Sequence, residues 1–149
     1  MNNAGGWHPG QQYPEAPPEA WRRALTLNLV APMLLTQLLW REVAEGTGAV
    51  VNIGSSGGEG DEPYGSPEYG AAKAALRRFT TALGDRADVR VMAVVPGWIG
   101  LERAHREFAR LTPDEQRGAG PLIPPRAVAA AVARLIEQGH AGEVVELLG

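Results

Sequence analysis

Two short apolar runs, residues 48–54 and 89–95, stand out in the hydrophobic pattern of this chain. Both are rich in valine; the first lies between glycines, and the second ends at Pro96-Gly97. Continuous apolar runs of this length are typical of strands that are buried on both faces of a parallel sheet. A further short run at residues 143–148 predicts a last strand.

The segments around these strands have helical periodicity. Helices are predicted over three segments, which are residues 18–45, 67–84 and 125–138. The apolar stretch of the first, residues 24–40, is too short to span a bilayer and predicts a buried helix. Residues 98–125 predict a mobile flap with one or two short helices, and residues 1–17 an irregular segment. Because helices alternate with apolar strands, the pattern predicts one α/β domain, residues 1–149, with a parallel sheet.

The candidate chemistry centres on Tyr69 and Lys73, which are four residues apart. Of the 14 lysine and arginine residues, only this one is lysine, which indicates that the position needs a compact ammonium rather than a guanidinium. On a helix the two side chains lie on the same face. A nearby cation lowers the pKa of a phenol, so the pair predicts an acid/base near neutral pH. An ordinary surface lysine beside a half-buried tyrosine is the alternative.

All three serines of the chain lie close to this pair in sequence. Ser55 and Ser56 follow the strand at residues 48–54, at the carboxyl end where open α/β sheets bind their ligands. Ser66 and Pro67 predict the N-cap and the first residue of the helix that carries Tyr69.

Pro32 makes Asn28 a further candidate. Proline has no N–H to donate to the carbonyl four residues earlier, which belongs to Asn28. The helix is therefore predicted to kink there and to leave an acceptor that holds a water molecule. A kinked core helix with a solvated asparagine is the alternative interpretation.

These residues resemble motifs of the short-chain dehydrogenase/reductase family, in the same order and over nearly the whole chain. Asn2-Asn3-Ala4-Gly5 is similar to the family's Asn-Asn-Ala-Gly turn. Residues 50–55 are similar to its fifth strand with the active-site serine, and residues 94–99 to the Pro-Gly turn that contacts the nicotinamide. The family's catalytic positions match Asn28, Ser55, Tyr69 and Lys73. Its cofactor-binding positions match Asn3, Ala4, Gly5, Tyr69, Lys73, Pro96, Gly97 and Ile99.

The sequence departs from the family pattern in several places. The glycine-rich dinucleotide loop and all that precedes the fourth strand are not in this sequence, and Leu101 stands where the family usually has a threonine. The helix that carries Tyr69 is also predicted to end early, at about Gly84. Counting back from Tyr69 selects Ser56 as the active-site serine, whereas counting from the strand selects Ser55. We favour Ser55, because loops absorb insertions more readily than strand ends do.

The resemblance implies a Rossmann-like fold with its N-terminal half missing, and hydride transfer between NAD or NADP and a small carbonyl or alcohol substrate. In that mechanism Ser55 holds the carbonyl oxygen and Tyr69 passes it a proton. Lys73 lowers the phenol pKa and binds the nicotinamide ribose, and Asn28 completes a proton relay through a water molecule.

Two alternatives remain open at this point. In the first alternative, the chain binds no cofactor because it lacks the phosphate-binding loop, and it is a non-catalytic remnant that serves as an oligomerisation module. The long helix and the Tyr-Lys helix match those of the family's dimer bundle, so a homo-oligomer is expected. In the second alternative, the chain is related to sugar-nucleotide epimerases, which also use Tyr-x-x-x-Lys, but the short region after Pro96-Gly97 argues against them.

Expressed as given, the chain is expected to bind dinucleotide weakly and to aggregate through an open edge of the strand at residues 48–54.

Composition narrows the choice of partners. A net charge of -3 argues against nucleic acid and gives no reason to expect membrane binding. The absence of cysteine excludes disulfides, a thiol nucleophile and thiolate metal sites, and it fits a cytoplasmic protein. His8, His105 and His140 share no metal-ligand spacing, so no metal site is predicted. Trp98, Phe108 and Leu122 are candidates either for a substrate pocket or for packing of the flap.

Overall fold

The fold is built on a three-stranded parallel sheet in the order β1-β2-β3. A computed structural model describes residues 1–7, 10–46, 48–61 and 63–148, so His8 lies outside the described residues. The strands are β1 (Ala49–Ile53), β2 (Arg90–Pro96) and β3 (Val144–Leu147). Val51 is paired with Met92 and Val94 with Val145. With helices flanking the sheet, the predicted α/β fold of Rossmann-like type is confirmed.

The helices lie close to the segments predicted from the sequence. They are α1 (Pro18–Leu25), α2 (Ala31–Leu38), α3 (Trp40–Glu45), α4 (Pro67–Ala82), α5 (Glu102–Phe108), α6 (Pro113–Ala119) and α7 (Pro125–Gln138). Between residues 98 and 125, where one or two short helices are predicted, the structure has two, α5 and α6. Over the part of the chain that the structure describes, we find no helix with both the length and the apolar character needed to cross a bilayer.

A π-helical turn interrupts the first long helix at the place where a kink is predicted. The turn, Thr26–Val30, separates α1 from α2, and the N–H of Ala31 donates to the carbonyl of Thr26. Pro32 follows this turn and has no N–H, so a regular α-helical ladder cannot continue through it. The turn places Asn28 on the inner side of the helix, where its side chain is fully buried.

The prediction of a buried helix over residues 24–40 is wrong for this chain. The buried residues of the segment are Asn28, Pro32 and Thr36, two of which are polar. The leucines face outward instead: Leu34 is 50% exposed and Leu38 is 65% exposed. Helical periodicity shows that a stripe is apolar, but it does not show whether the chain itself provides the surface that covers it.

The core packs on both faces of the sheet, because successive side chains of a strand point to opposite sides. On one face, α7 packs against β1 and β2. The apolar cluster there includes Val128 and Leu135 of α7 with Val51, Ile53, Met92 and Val94 of the strands. On the other face, Val50 and Val91 pack with Trp40 of α3. Two apolar layers therefore hold the sheet between α7 and the segment formed by α3 and α4.

Asn2 fixes the N-terminal turn to the free edge of β1. Its N–H donates to the carbonyl of Val51 over 2.8 Å, and its carbonyl accepts from the N–H of Ile53 over 3.1 Å. Its side-chain amide donates to Oδ1 of Asn52 over 2.8 Å, and Asn52 in turn donates to Thr80 of α4 over 2.9 Å. This buried chain of hydrogen bonds positions the residues that follow Asn2 against the site described next.

Candidate active site

A cleft of about 610 Å³ opens at the carboxyl ends of β1 and β2. It contains most of the residues selected from the sequence, which are Asn3, Gly5, Ser55, Tyr69, Lys73, Pro96, Gly97 and Ile99. Ala4 and Asn28 do not line it. Its volume is that of a small-molecule site, and its position follows the rule for ligands of open α/β sheets. The sheet topology thus brings together residues that are distant in sequence.

Tyr69 and Ser55 face each other in this cleft. Burial raises the pKa of the Tyr69 phenol, and the nearby Ser55 hydroxyl lowers it by less. The sequence-based expectation that Lys73 lowers this pKa below its ordinary value is therefore wrong for the chain by itself. Desolvation of the charged form outweighs the effect of the Ser55 hydroxyl, so the phenol carries its proton at neutral pH.

A hydrogen bond with the backbone fixes the position of the Ser55 hydroxyl. The hydroxyl oxygen accepts from the N–H of Gly57 over 3.2 Å and so caps the turn Ser56–Gly58. Ser56 belongs to this turn and does not line the cleft. The geometry therefore favours Ser55, the serine selected by counting from the strand.

Lys73 is buried, with 5% of its surface exposed, so the alternative of an ordinary surface lysine is wrong. Its Nζ donates to the carbonyl of Ile53 over 2.8 Å and lies 5.7 Å from the centroid of the Tyr69 ring. Burial lowers the pKa of its ammonium to about 8. The lysine can therefore exchange a proton at a pH where an exposed lysine would stay charged.

This lowered pKa predicts how stability depends on pH. Below about pH 8 both the folded and the unfolded chain hold the Lys73 proton, so the penalty for burying the ammonium is fully present. As the pH rises further, the folded chain releases the proton while the unfolded chain keeps it, and the free energy of unfolding rises. We expect a gain of roughly 2 kcal/mol between about pH 7.5 and about pH 9.5.

Urea denaturation at both pH values measures this gain, with Lys73→Met as the control that should lose most of it. The range stops below pH 10 because Tyr64 and Tyr69, whose pKa values are raised, oppose the trend at higher pH. An equal gain in Lys73→Met would show that Lys73 is not the titrating group.

Asn28 is fully buried, so the alternative of a solvated asparagine is also wrong. Its side-chain nitrogen donates to the carbonyls of Gly6 and Ala24 over 3.0 and 2.9 Å, and its Oδ1 accepts from the N–H of Gly6 over 2.9 Å. A Cβ atom on Gly5 would lie 2.8 Å from this Oδ1 and 3.2 Å from Nζ of Lys73. Gly5 therefore fills the narrow space between Asn28 and Lys73.

Helix α4 begins at the predicted residue, but the predicted N-cap serine does not cap it through its side chain. The helix begins at Pro67 with Ser66 as its N-cap, as predicted. The Ser66 side chain makes no capping bond, and the N–H of Gly70 donates to the Ser66 carbonyl over 2.9 Å. Tyr69 accordingly lies in the first turn of α4, one turn before Lys73.

Sequence reasoning missed several residues of the cleft, above all Trp7, Tyr64 and Arg103. They lie in the N-terminal segment, in the loop before α4 and in α5, where no periodicity indicates which way a side chain points. Of the three flap candidates, Trp98 lines the cleft and Leu122 does not. Phe108 packs edge to face against the Trp98 ring, with the two ring centroids 6.4 Å apart.

Comparison with known proteins explains this arrangement. A family model for short chain dehydrogenase matches residues 1–110, which is well over half of the chain. The chain belongs to the short-chain dehydrogenase family. The matched range contains the Asn-Asn-Ala-Gly turn, the strand-end serine, the Tyr-Lys pair and the Pro-Gly turn.

The short-chain dehydrogenase relatives are longer than this chain. It is 36% identical over 113 residues to the protein FixR of Bradyrhizobium diazoefficiens, covering 74% of this chain and 38% of FixR. It is 30% identical over 138 residues to an uncharacterized oxidoreductase of Thermotoga maritima, covering 86% of this chain and 54% of that protein. A solved 3-oxoacyl-(acyl-carrier protein) reductase from Brucella melitensis with bound NAD matches with a TM-score of 0.76 and 29% identity. That match covers 97% of this chain and 58% of the reductase.

Proposed function

We propose that this chain forms the catalytic part of an NAD- or NADP-dependent oxidoreductase that interconverts a small carbonyl compound and its alcohol. The observation that carries the proposal is the convergence of Ser55, Tyr69 and Lys73 in one cleft at the carboxyl ends of β1 and β2. The similarity to a reductase with bound NAD supports the choice of cofactor and of reaction.

The residues at one end of the cleft fit a nicotinamide. Gly5 lines the cleft and packs so closely against Asn28 and Lys73 that a side chain there would crowd both, and Asn3 also lines the cleft. Pro96-Gly97 and Ile99 line the cleft from the end of β2. We propose that these residues, with Tyr69 and Lys73, hold the nicotinamide ring and its ribose. When bound, the nicotinamide supplies or accepts the hydride.

The protein's own part is then proton transfer and positioning. Tyr69, protonated at neutral pH, donates its proton to the substrate oxygen, and the Ser55 hydroxyl donates a hydrogen bond to that oxygen. The buried ammonium of Lys73 stabilises the phenolate that remains. Asn28, whose hydrogen bonds to Gly6 fix the turn beside Lys73, completes the proton relay in this proposal.

The binding half of this proposal is tested by saturation-transfer NMR with NADH and NADPH. We expect transfer to the nicotinamide protons, because the residues that we propose to hold the nicotinamide line this cleft. The chain spans 38% and 54% of the two relatives named above, so a chimera that carries the upstream part of the Thermotoga maritima oxidoreductase is measured in parallel. Transfer to neither cofactor in either protein would refute the proposal.

The two serines give a prediction about catalysis. Ser55→Ala should lower kcat/KM on the order of 10²-fold, as is typical for the loss of a donor aimed at developing charge. Ser56→Ala should lower it much less, because Ser56 lies outside the cleft. The measurement is steady-state turnover in the chimera, and the reverse order of effects would show that the wrong serine has been assigned.

We also propose that the chain forms a homo-oligomer through α2 and α4. An apolar groove of about 490 Å³ lies between them and is lined by Met33, Leu34, Trp40, Phe79 and Leu83. Small residues of α4 allow a second helix to approach closely: Ala71 and Ala74 are exposed and Ala75 is half-buried, whereas Gly70 is buried against Gly57. The alternative function, a non-catalytic oligomerisation module, depends on this same surface. From the net charge of -3 we propose that neither nucleic acid nor a membrane is a partner. From the absence of cysteine we propose a cytoplasmic location.

Light scattering well above micromolar concentration should therefore give a mass of at least two chains. Leu34→Glu should shift the protein toward the monomer, since it places a charge in an apolar interface. Ile136→Glu is the control: Ile136 is 47% exposed on α7, which lies on the other face of the sheet. A monomer for the unmodified chain, or equal dissociation by both variants, would contradict the proposed interface.

A further inference from the structure

Ring side chains from three separate segments meet in the candidate cleft. Trp7 comes from the N-terminal segment, Tyr64 from the loop before α4, and Trp98 from the turn after β2; all three line the cleft beside Tyr69. The whole chain has nine aromatic residues, so nearly half of them lie in this one site. Trp7 is 36%, Tyr64 40% and Trp98 38% exposed. Large rings left partly exposed in a concave site indicate an apolar ligand.

Each ring is held in its position by neighbouring groups. The Tyr64 ring stacks on Tyr69 with centroids 6.1 Å apart and an interplanar angle of 30°. It also lies so close to Gly57 that a Cβ there would be 2.5 Å from the ring. The Arg103 guanidinium lies 4.7 Å from the Trp7 ring centroid. The backbone around Trp98 is fixed because its carbonyl accepts from the N–H of Ile123 over 2.7 Å. The rings are therefore preorganised to bind a ligand.

We infer that the substrate of this site carries an aromatic ring near its carbonyl group, and that Tyr64 is a specificity-determining residue for that ring. The inference rests on the proposed function for the carbonyl group. Tyr64 stacks directly on the residue that donates the proton, so a ligand ring against Tyr64 lies next to a carbonyl bound by Ser55 and Tyr69. Offset and edge-to-face contacts between rings add to the apolar burial that any side chain of the same size would give.

Two ketones that differ only in the saturation of the ring isolate this effect. Benzylacetone and its cyclohexyl analogue have the same carbon skeleton, and in both the ring is not conjugated to the carbonyl. The unmodified chain is titrated with each ketone, and the indole N–H resonances of its four tryptophans are followed by NMR. We expect benzylacetone to bind about two- to tenfold more tightly. It should shift the resonances of Trp7 and Trp98 but not those of Trp21 and Trp40, which do not line this cleft.

Three variants test the part played by Tyr64. Tyr64→Leu should bring the affinity ratio of the two ketones close to one, and Tyr64→Phe should keep it. Tyr13→Leu is the matched control, because Tyr13 is 64% exposed and lies outside the cleft, and it should leave the ratio unchanged.

Equal binding of the two ketones, no binding of either, or shifts confined to Trp21 and Trp40 would each overturn the inference. Binding is measured without turnover, so a failure of hydride transfer can be told apart from a failure of aromatic recognition. If the chain discriminates between the ketones but the chimera transfers no hydride, the proposed function fails while the aromatic site stands.

Discussion

Lys73→Arg should lower hydride transfer nearly as much as Tyr69→Phe, although it keeps the positive charge. Lys73 is 5% exposed and its ammonium donates to the Ile53 carbonyl, and a planar guanidinium is too large for that position. An arginine would also stay charged, whereas burial lowers the pKa of Lys73 to about 8. Losses on the order of 10²- to 10⁴-fold in kcat/KM are expected, as for the removal of an acid/base group.

Steady-state kinetics of the chimera provide the measurement. The matched control is Arg78→Lys, the reverse exchange at an exposed position of the same helix, which should change kcat/KM little. Full turnover by Lys73→Arg would show that the site needs only a positive charge there, and the proton-transfer role of Lys73 would have to be abandoned.

Gly5→Ala should lower kcat/KM on the order of 10²-fold, because a single methyl group enters the space between Asn28 and Lys73. The new Cβ would lie 2.8 Å from Oδ1 of Asn28, an atom held by the Gly6 N–H, and 3.2 Å from Nζ of Lys73. The flexible lysine gives way more easily than the asparagine, so the ammonium should move away from the Tyr69 ring.

Gly6→Ala is the control, since a Cβ at that position has no neighbour within 4 Å. Because Lys73 is the one lysine of the chain, isotope-labelled lysine gives a single side-chain NMR resonance whose titration is followed in both variants. The midpoint should move in Gly5→Ala and remain near the unmodified value in Gly6→Ala. Equal kinetics and equal midpoints in the two variants would contradict the role of Gly5.

The sequence predicted best those elements whose pattern is local. Valine-rich runs fixed β1 and β2 to within about one residue, and proline and glycine marked the limits of α7, Pro125–Gln138. The missing N–H of Pro32 predicted an irregular turn near Asn28. The strand end, where geometry is rigid, selected the serine that the structure places in the cleft.

Other features depend on contacts that no local pattern contains. The apolar stripe at residues 24–40 looks the same in sequence whether its own chain covers it or not, and here Leu34 and Leu38 face outward. The phenol pKa of Tyr69 depends on how deeply the loop and α4 bury it, which spacing alone does not show. Tyr64 and Trp7 enter the cleft from irregular segments, so only the fold shows that they meet there.

The most direct test of the central claim is the fate of deuterium from NADH or NADPH labelled at the transferred position. A ketone is incubated with the chimera and the labelled cofactor, and the alcohol is analysed by mass spectrometry. We expect one deuterium on the carbinol carbon, with the product abolished by Tyr69→Phe and retained by Tyr13→Phe. A folded chimera that binds the cofactor but forms no deuterated alcohol, or forms it equally well without the Tyr69 hydroxyl, would contradict the proposed function.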